Sequence, residues 1–231
     1  MTTISNRLQH ILATIQSAHT SSLFRQQVKL VAVSKAQPAT AIREAYLAGQ
    51  TIFGENYLQE ALEKRVELAD LPLEWHFIGP IQSNKTQLIS QHFAWVHSVD
   101  RLKIAQRLND ARPPHLPPLQ VCIQVNVSNE ESKSGVSPDD LEALATAIQT
   151  LPRLKLRGLM AIPAPTKDEK QQIAQFKQVR ECYDALLVKG FNLDTLSIGM
   201  SDDYQIAIAQ GATIVRIGSA LFGARAIRNQ I

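Results

Sequence analysis

The chain has 231 residues, 45% hydrophobic and 19% charged, so a sizeable core can be buried and a disordered chain is excluded. Its 24 Lys and Arg against 21 Asp and Glu give a net charge of +3, interspersed along the sequence, which argues against a nucleic-acid or membrane surface. Two cysteines, Cys122 and Cys182, are too few for a disulfide framework or structural zinc site, and without a long apolar run or a signal peptide a cytoplasmic protein is expected.

Ile4, Leu8, Ile11, Leu12 and Ile15 recur at helical spacing, so the chain opens with an amphipathic helix. VKLVAVS (Val28–Ser34) is a short apolar, β-branched run, the mark of a strand buried on both faces. The helix PATAIREAYLAG follows, with Pro38 near its start and Gly49 at its stop. Then come a strand in TIFGE, a helix over Tyr57–Leu68 and a strand in EWHFIG. A helix starts near Ser83, AWVHSV reads as a strand, and the next helix runs from Asp100 to Asp110. RPPHLPPL (Arg112–Leu119) reads as the connection into the strand Leu119–Val127 rather than as a polyproline ligand. Pro138 opens the helix DDLEALATAIQTL, LKLRGLMAI is the sixth strand, and Lys167–Leu187 is helical. DTLSIGM, a short helix near Asp202–Gln210 and ATIVRIG complete the series.

Each of these eight strands is followed by a helical stretch, and strict alternation with buried strands means a parallel sheet. An open sheet needs two edge strands, yet no strand here is charged or proline-blunted enough for an edge. A closed (β/α)8 TIM barrel with an extra N-terminal helix is therefore expected. No repeat, low-complexity tract or linker divides the chain, so residues 1–231 are expected to form a single domain.

In such a barrel the active site lies at the C-terminal ends of the strands. Lys35 ends the first strand. At a reference pKa of about 10.4 only about 1 lysine in 2,500 is neutral at pH 7, and burial at a strand mouth exposes the amine as a nucleophile of the Schiff-base kind. The alternative is a lysine that reaches out to solvent. At the other end of the sequence, SIGMSDDY brings Ser197, Gly199 and Ser201 after the seventh strand. RIGSALFG brings Arg216, Gly218 and Ser219 to the end of the eighth. Barrels frequently bind phosphate at these two loops and a short extra helix, although Ser and Gly also begin ordinary helices. Arg216 shares that mouth, and Arg is one of the residues that partner the pyridine nitrogen of pyridoxal phosphate.

Other candidates are weighed against plainer roles. His76 and His97 read as core or lining histidines with one satisfied nitrogen, and Ser98 and Asp100 as the start of the next helix. Asn84 and Lys85 in QSNK, and Lys133 with Gly135 on the loop after the fifth strand, are either mouth residues or solvated polar positions.

VAVSKAQP, GENYLQEALEK, WHFIGPIQSNK, LRGLMAI, SIGMSDDY and VRIGSALFG, in this order along nearly the whole chain, resemble the YggS/PROSC family of pyridoxal phosphate homeostasis proteins. The resemblance implies a barrel similar to the N-terminal domain of alanine racemase, with pyridoxal 5'-phosphate held as an imine on Lys35. It implies Arg216 facing the pyridine nitrogen, Ser201, Gly218 and Ser219 holding the phosphate, and Asn56 of GENY near the ring. It further implies a monomeric carrier or regulator of vitamin B6 pools, serving apo-enzymes and without an established catalytic reaction.

A binding protein is therefore the preferred reading, and an amino-acid racemase the alternative. An arginine at the ring nitrogen keeps that nitrogen unprotonated, which weakens the electron sink a carbanion needs. Racemisation also requires a base on each face of the α-carbon. In the resembling alanine racemases the second base is a tyrosine, placed with the help of a C-terminal β domain and a dimer partner, and this sequence ends soon after Arg216. Of Tyr46, Tyr57, Tyr183 and Tyr204, Tyr57 beside GEN is the one to test. A Schiff-base aldolase on a similar barrel is a third, weaker reading.

Overall fold

A computed structural model describes residues 3–127 and 134–223. The elements follow in the order α1 (Ile4–Ser21), β1 (Lys29–Val33), α2 (Ala39–Leu47), β2 (Ile52–Glu55), α3 (Leu58–Glu67) and β3 (Glu74–Phe77). A 3-10 turn (Ser83–Lys85) leads into α4 (Thr86–His92), then β4 (Trp95–Val99), α5 (Leu102–Ala111), β5 (Leu119–Gln124) and α6 (Leu141–Gln149). The series ends with β6 (Leu154–Met160), α7 (Glu169–Val188), β7 (Thr195–Ser197), α8 (Tyr204–Ala209), β8 (Ile214–Ile217) and α9 (Ser219–Phe222). All eight strands pair in parallel, in sequence order, and β8 returns to β1 with Lys29 opposite Ile214 and Ala32 opposite Ile217. The barrel is closed, so no strand is left as an edge.

Helix α1 is capped by Thr3, whose side chain accepts from the Asn6 N–H, and buries Ile4, Leu8, Ile11 and Ile15. Leu12 lies off that stripe and is exposed, because its step falls outside the 4-3-4 spacing of the buried four. Arg7 Nε of α1 donates to the Leu221 carbonyl at 2.5 Å, which ties the extra helix to the end of α9. Among the described residues, no helix is long and apolar enough to cross a membrane.

Side chains alternate across the barrel wall, as the period of 2 demands. Outward residues such as Ala32, Phe53, Phe77, Ile123, Leu159 and Ile217 join the large core beneath the helices. Inside, Trp95, Cys122 and Met160 form a separate small cluster. Burial there pushes the Cys122 thiol up to about 12, so it behaves as an inert apolar group. Polar side chains share the interior with apolar ones such as Val31. His97 of β4 bonds to Ser197 of β7 at 2.8 Å, a contact between strands three apart that only the interior allows.

Candidate functional site

The site is built outward from the turn after β1. Ser34 is buried, Lys35 is half-buried, and Ala36 adopts a left-handed φ of 59°. A residue with a Cβ is strained there, and such outliers mark places that the surroundings over-determine. Those surroundings are a buried ion cluster. Lys64 Nζ of α3 donates to the Ser34 carbonyl at 2.7 Å, to Glu55 Oε1 at 2.7 Å and to Glu60 Oε1 at 2.6 Å. Glu60 Oε1 in turn accepts from the Ala36 N–H at 2.6 Å, and Glu55 Oε1 accepts from Ser34 Oγ at 2.6 Å. The peptides on both sides of Lys35 are thus clamped by one ammonium and two carboxylates. Burial pushes the Glu55 carboxyl up, and the nearby Lys64 opposes it.

Asn56 follows Glu55, and its Oδ1 is a buried acceptor without a partner among the described residues. Its backbone is pressed by Gly79, where a Cβ would stand 2.3 Å from the Asn56 carbonyl oxygen. Only glycine permits that approach. Ser98 Oγ donates to the Gly79 carbonyl at 2.5 Å, so this serine holds the floor of the site and does not cap α5. The first residue before α5 is Arg101, which makes no side-chain cap.

Across the mouth, Gly199 turns the chain after β7 with φ +92°. The following loop is held by Asp203, whose Oδ1 accepts from the Met200 N–H at 2.6 Å. Ser201 Oγ accepts from the Ala220 N–H at 3.3 Å, which joins this loop to the start of α9. Gly218 lies against β1, where a Cβ would meet the Val33 carbonyl at 3.2 Å.

Arg216 of β8 is 4% exposed. Its Nη1 donates to the Ser197 carbonyl at 2.5 Å and to Ser197 Oγ at 2.8 Å, and its Nη2 donates to the Ala161 carbonyl at 2.9 Å. These bonds use three of the five N–H groups that a guanidinium carries. Burial pushes its pKa down to about 10, Asp203 opposing, so it stays cationic at neutral pH.

Lys35, Asn56, Ser201, Arg216, Gly218 and Ser219 all line one cavity of about 320 Å³ at the C-terminal mouth of the barrel, together with Gly79 and Pro80. Six positions spread over 185 residues of sequence thus converge, 35 being the first and 219 the last of residues 35–219. The size falls at the lower end of the roughly 300–1,000 Å³ of small-molecule sites. The polar part of the lining includes a primary amine, a buried cation, an unsatisfied amide oxygen and serine hydroxyls, a set suited to a small anionic aldehyde, with Gln37 and the carboxylate of Asp202 also on the wall. Asn84 and Lys85 are exposed in the 3-10 turn and do not line the cavity. Lys133 lies outside the described residues, while Gly135 packs on the backbone of Asn126, away from the cavity lining. None of Tyr46, Tyr57, Tyr183 and Tyr204 lines it either, and Tyr57 is exposed.

Sequence reasoning missed the clamp of Glu55, Glu60 and Lys64, and the pressure of Gly79 on Asn56. The Glu60–Lys64 spacing of four in LQEALEK was a visible signal, but it reads first as a surface ion pair. His76 and His97 are buried as expected, yet both nitrogens of each ring have partners.

A family model for the alanine racemase N-terminal domain matches residues 6–226. The pyridoxal phosphate homeostasis protein of Pseudomonas aeruginosa is 61% identical over 226 residues, 97% of each chain. That of Escherichia coli K12 is 50% identical over 228 residues, 95% of this chain and 97% of the other. PipY of Synechococcus elongatus, solved with PLP bound, superposes with a TM-score of 0.86 at 39% identity, covering 95% of this chain and all of PipY. Alanine racemase of Corynebacterium glutamicum superposes with a TM-score of 0.66 at 18% identity, covering 95% of this chain and 62% of that enzyme, a likeness of fold alone.

Proposed function

The chain belongs to the family of pyridoxal phosphate homeostasis proteins, on the alanine racemase N-terminal fold, and we propose that it binds pyridoxal 5'-phosphate at the barrel mouth and helps maintain the cell's supply of that cofactor. The observation that carries this reading is the convergence of Lys35, Arg216, Ser201, Gly218 and Ser219 on one cavity, in a chain that is 39% identical to the PLP-bound PipY. When bound, the cofactor supplies an aldehyde that condenses with an amine, its oxygen leaving as water. Lys35 provides that amine at the mouth. Arg216 offers its uncommitted N–H groups to the ring nitrogen. Asn56 Oδ1 gains the donor it lacks from the ring hydroxyl. Ser201, Ser219 and the backbone at Gly218 receive the phosphate.

Catalysis is not part of this reading. A racemase needs a second base, and none of the four tyrosines lines the cavity. We take the protein to act as a cytoplasmic monomer that passes the cofactor to apo-enzymes; the name its relatives carry speaks for the homeostasis role alone.

The test is the absorption spectrum of the purified protein mixed with pyridoxal phosphate, before and after borohydride. A yellow band that reduction removes, with the mass adduct mapped to Lys35, is the expected result. An adduct on another lysine overturns the site, and no reducible band overturns the cofactor.

A further inference from the structure

A continuous row of side chains crosses the barrel interior from the face opposite the cavity. Glu74 Oε1, at the start of β3, lies 2.7 Å from His76 Nε2. His76 Nδ1 lies 2.9 Å from His97 Nε2, and His97 Nδ1 lies 2.8 Å from Ser197 Oγ. Ser197 Oγ accepts from Arg216. Glu74 is half-exposed, whereas His76, His97, Ser197 and Arg216 are all buried.

We propose that Glu74, His76, His97 and Ser197 are positioning residues that form a one-way hydrogen-bond relay, fixing the donor pattern that Arg216 presents to the ring nitrogen of the cofactor. The inference rests on the proposed placement of that nitrogen at Arg216.

The direction follows from the two ends. An ionised carboxylate only accepts and a guanidinium only donates. The bond from His76 holds the Glu74 carboxyl below its usual range, with Lys29 and Arg157 acting the same way, so it stays ionised. His76 must therefore carry its proton on Nε2 and accept at Nδ1. That acceptor requires the His97 proton on Nε2 as well, so His97 Nδ1 accepts from the Ser197 hydroxyl. Ser197 then meets Arg216 with a lone pair.

Reversing both rings would send a His97 N–H to Ser197 and leave the serine proton facing two donors. Both imidazoles must be neutral for the relay to hold. Burial lowers the pKa of each, Lys29 adding to the effect at His76, and His76 and Arg216 adding to it at His97; Glu74 alone opposes. His76 is also stacked on Trp95 at 5.3 Å, which fixes its ring plane.

The experiment uses full-length protein labelled with nitrogen-15 in histidine. Long-range proton–nitrogen spectra of the cofactor-free protein report both ring tautomers, and titration with pyridoxal phosphate reports affinity and absorption maximum. In wild type both rings are expected as neutral Nε2–H tautomers, and Nδ1–H in either overturns the relay. Glu74→Lys puts a donor where the acceptor stood. Both rings should then change tautomer together, the absorption maximum should move, and affinity should fall about tenfold, a change worth one hydrogen bond to a charged group. Glu74→Gln, which keeps an acceptor oxygen, should stay near wild type.

Rings that keep their tautomers in Glu74→Lys, or that change while the cofactor spectrum does not, overturn the proposal. Should that variant not fold, Ser197→Ala breaks the chain at its other end. The signals of both rings then move together if the relay is continuous, and movement of His97 alone overturns it. Wild type that binds no pyridoxal phosphate overturns the reading of the cavity and the coupling with it, and is told apart because it requires no variant.

Discussion

Lys64 donates to the carbonyl of Ser34 at 2.7 Å, so a buried cation on α3 carries the peptide that precedes Lys35. The same ammonium meets Glu55 and Glu60, and Glu60 reaches on to the N–H of Ala36. The left-handed Ala36 is the consequence. The cluster fixes where the β1 strand ends and therefore where the Lys35 side chain begins.

Lys64→Met tests that clamp. It leaves Glu55 buried with one partner gone and removes the donor to Ser34. Breaking a buried pair in this way typically costs about 3–5 kcal/mol, because the remaining charge is uncompensated. Adding Glu55→Gln should recover part of the loss. Urea unfolding reads the stability, and the yield of borohydride-fixed adduct on Lys35 reads the positioning. A Lys64→Met protein with wild-type stability and adduct yield would show that the cluster is incidental.

Amino acids should be turned over poorly. With Arg216 at the ring nitrogen, as proposed, that nitrogen would stay unprotonated, and none of the four tyrosines lines the cavity. With pyridoxal phosphate and either L- or D-alanine in deuterated water, α-proton exchange should stay far below about 1 s⁻¹, the lower end of ordinary enzyme turnover. Exchange above that rate would restore the racemase.

Stability should fall in mild acid through the two interior histidines. Burial lowers the folded pKa of His76 and His97 below the unfolded value of about 6.5, so below that pH the unfolded chain takes up protons that the folded one refuses. Their contribution is complete above about pH 6.5 and is lost as the pH falls towards the folded values. The slope reaches about 1.4 kcal/mol per pH unit for each histidine while only the unfolded form titrates. Glu55 has the opposite sign, since its folded pKa is raised: its contribution is present below the unfolded value and lost as the pH rises through the folded one. Comparing wild type with His97→Gln at each pH cancels the Glu55 effect, and the variant should show the shallower slope. Equal slopes would mean that His97 is already protonated inside the barrel.

Much of this is legible in the sequence. VKLVAVS and ATIVRIG are β-branched runs with no edge-strand character, and they meet as β1 and β8 to close the barrel. The strand-end rule then put Lys35, Arg216, Ser201, Gly218 and Ser219 at one mouth, as found, whereas Ser197 turns into the barrel interior towards His97. The clamp and the relay were not legible, because both join residues whose local roles look ordinary. Lys64 is one of several charged residues on an amphipathic helix, and only the register of α3 over β2 buries it. His76 and His97 sit 21 positions apart, and nothing local shows that their rings meet inside a closed barrel. Ser98 looked like a helix start for the same reason. Its partner is the carbonyl of Gly79, on the neighbouring strand's loop.

Phosphate contacts should set affinity more than the ring does. Ser201 and Ser219 bring hydroxyls from the loops after β7 and β8, and charge-assisted bonds of this kind contribute roughly 1.5–3 kcal/mol each. Ser219→Ala should therefore weaken pyridoxal phosphate binding by about 10- to 100-fold. Ser201→Ala should do at least as much, because Ser201 Oγ also accepts from the Ala220 N–H and steadies the start of α9. Gly218→Val should be the most damaging of the three. Even its Cβ would lie 3.2 Å from the Val33 carbonyl, so the added bulk presses on β1 two residues before Lys35 as well as on the cavity. Unphosphorylated pyridoxal keeps the aldehyde for Lys35 but loses these contacts, so it should bind wild type far more weakly than the phosphate does and show no further loss in the serine variants. Titration of cofactor-free protein with both aldehydes measures all four proteins on one scale. Equal affinity for pyridoxal and its phosphate would place the phosphate elsewhere and remove the loops after β7 and β8 from the site.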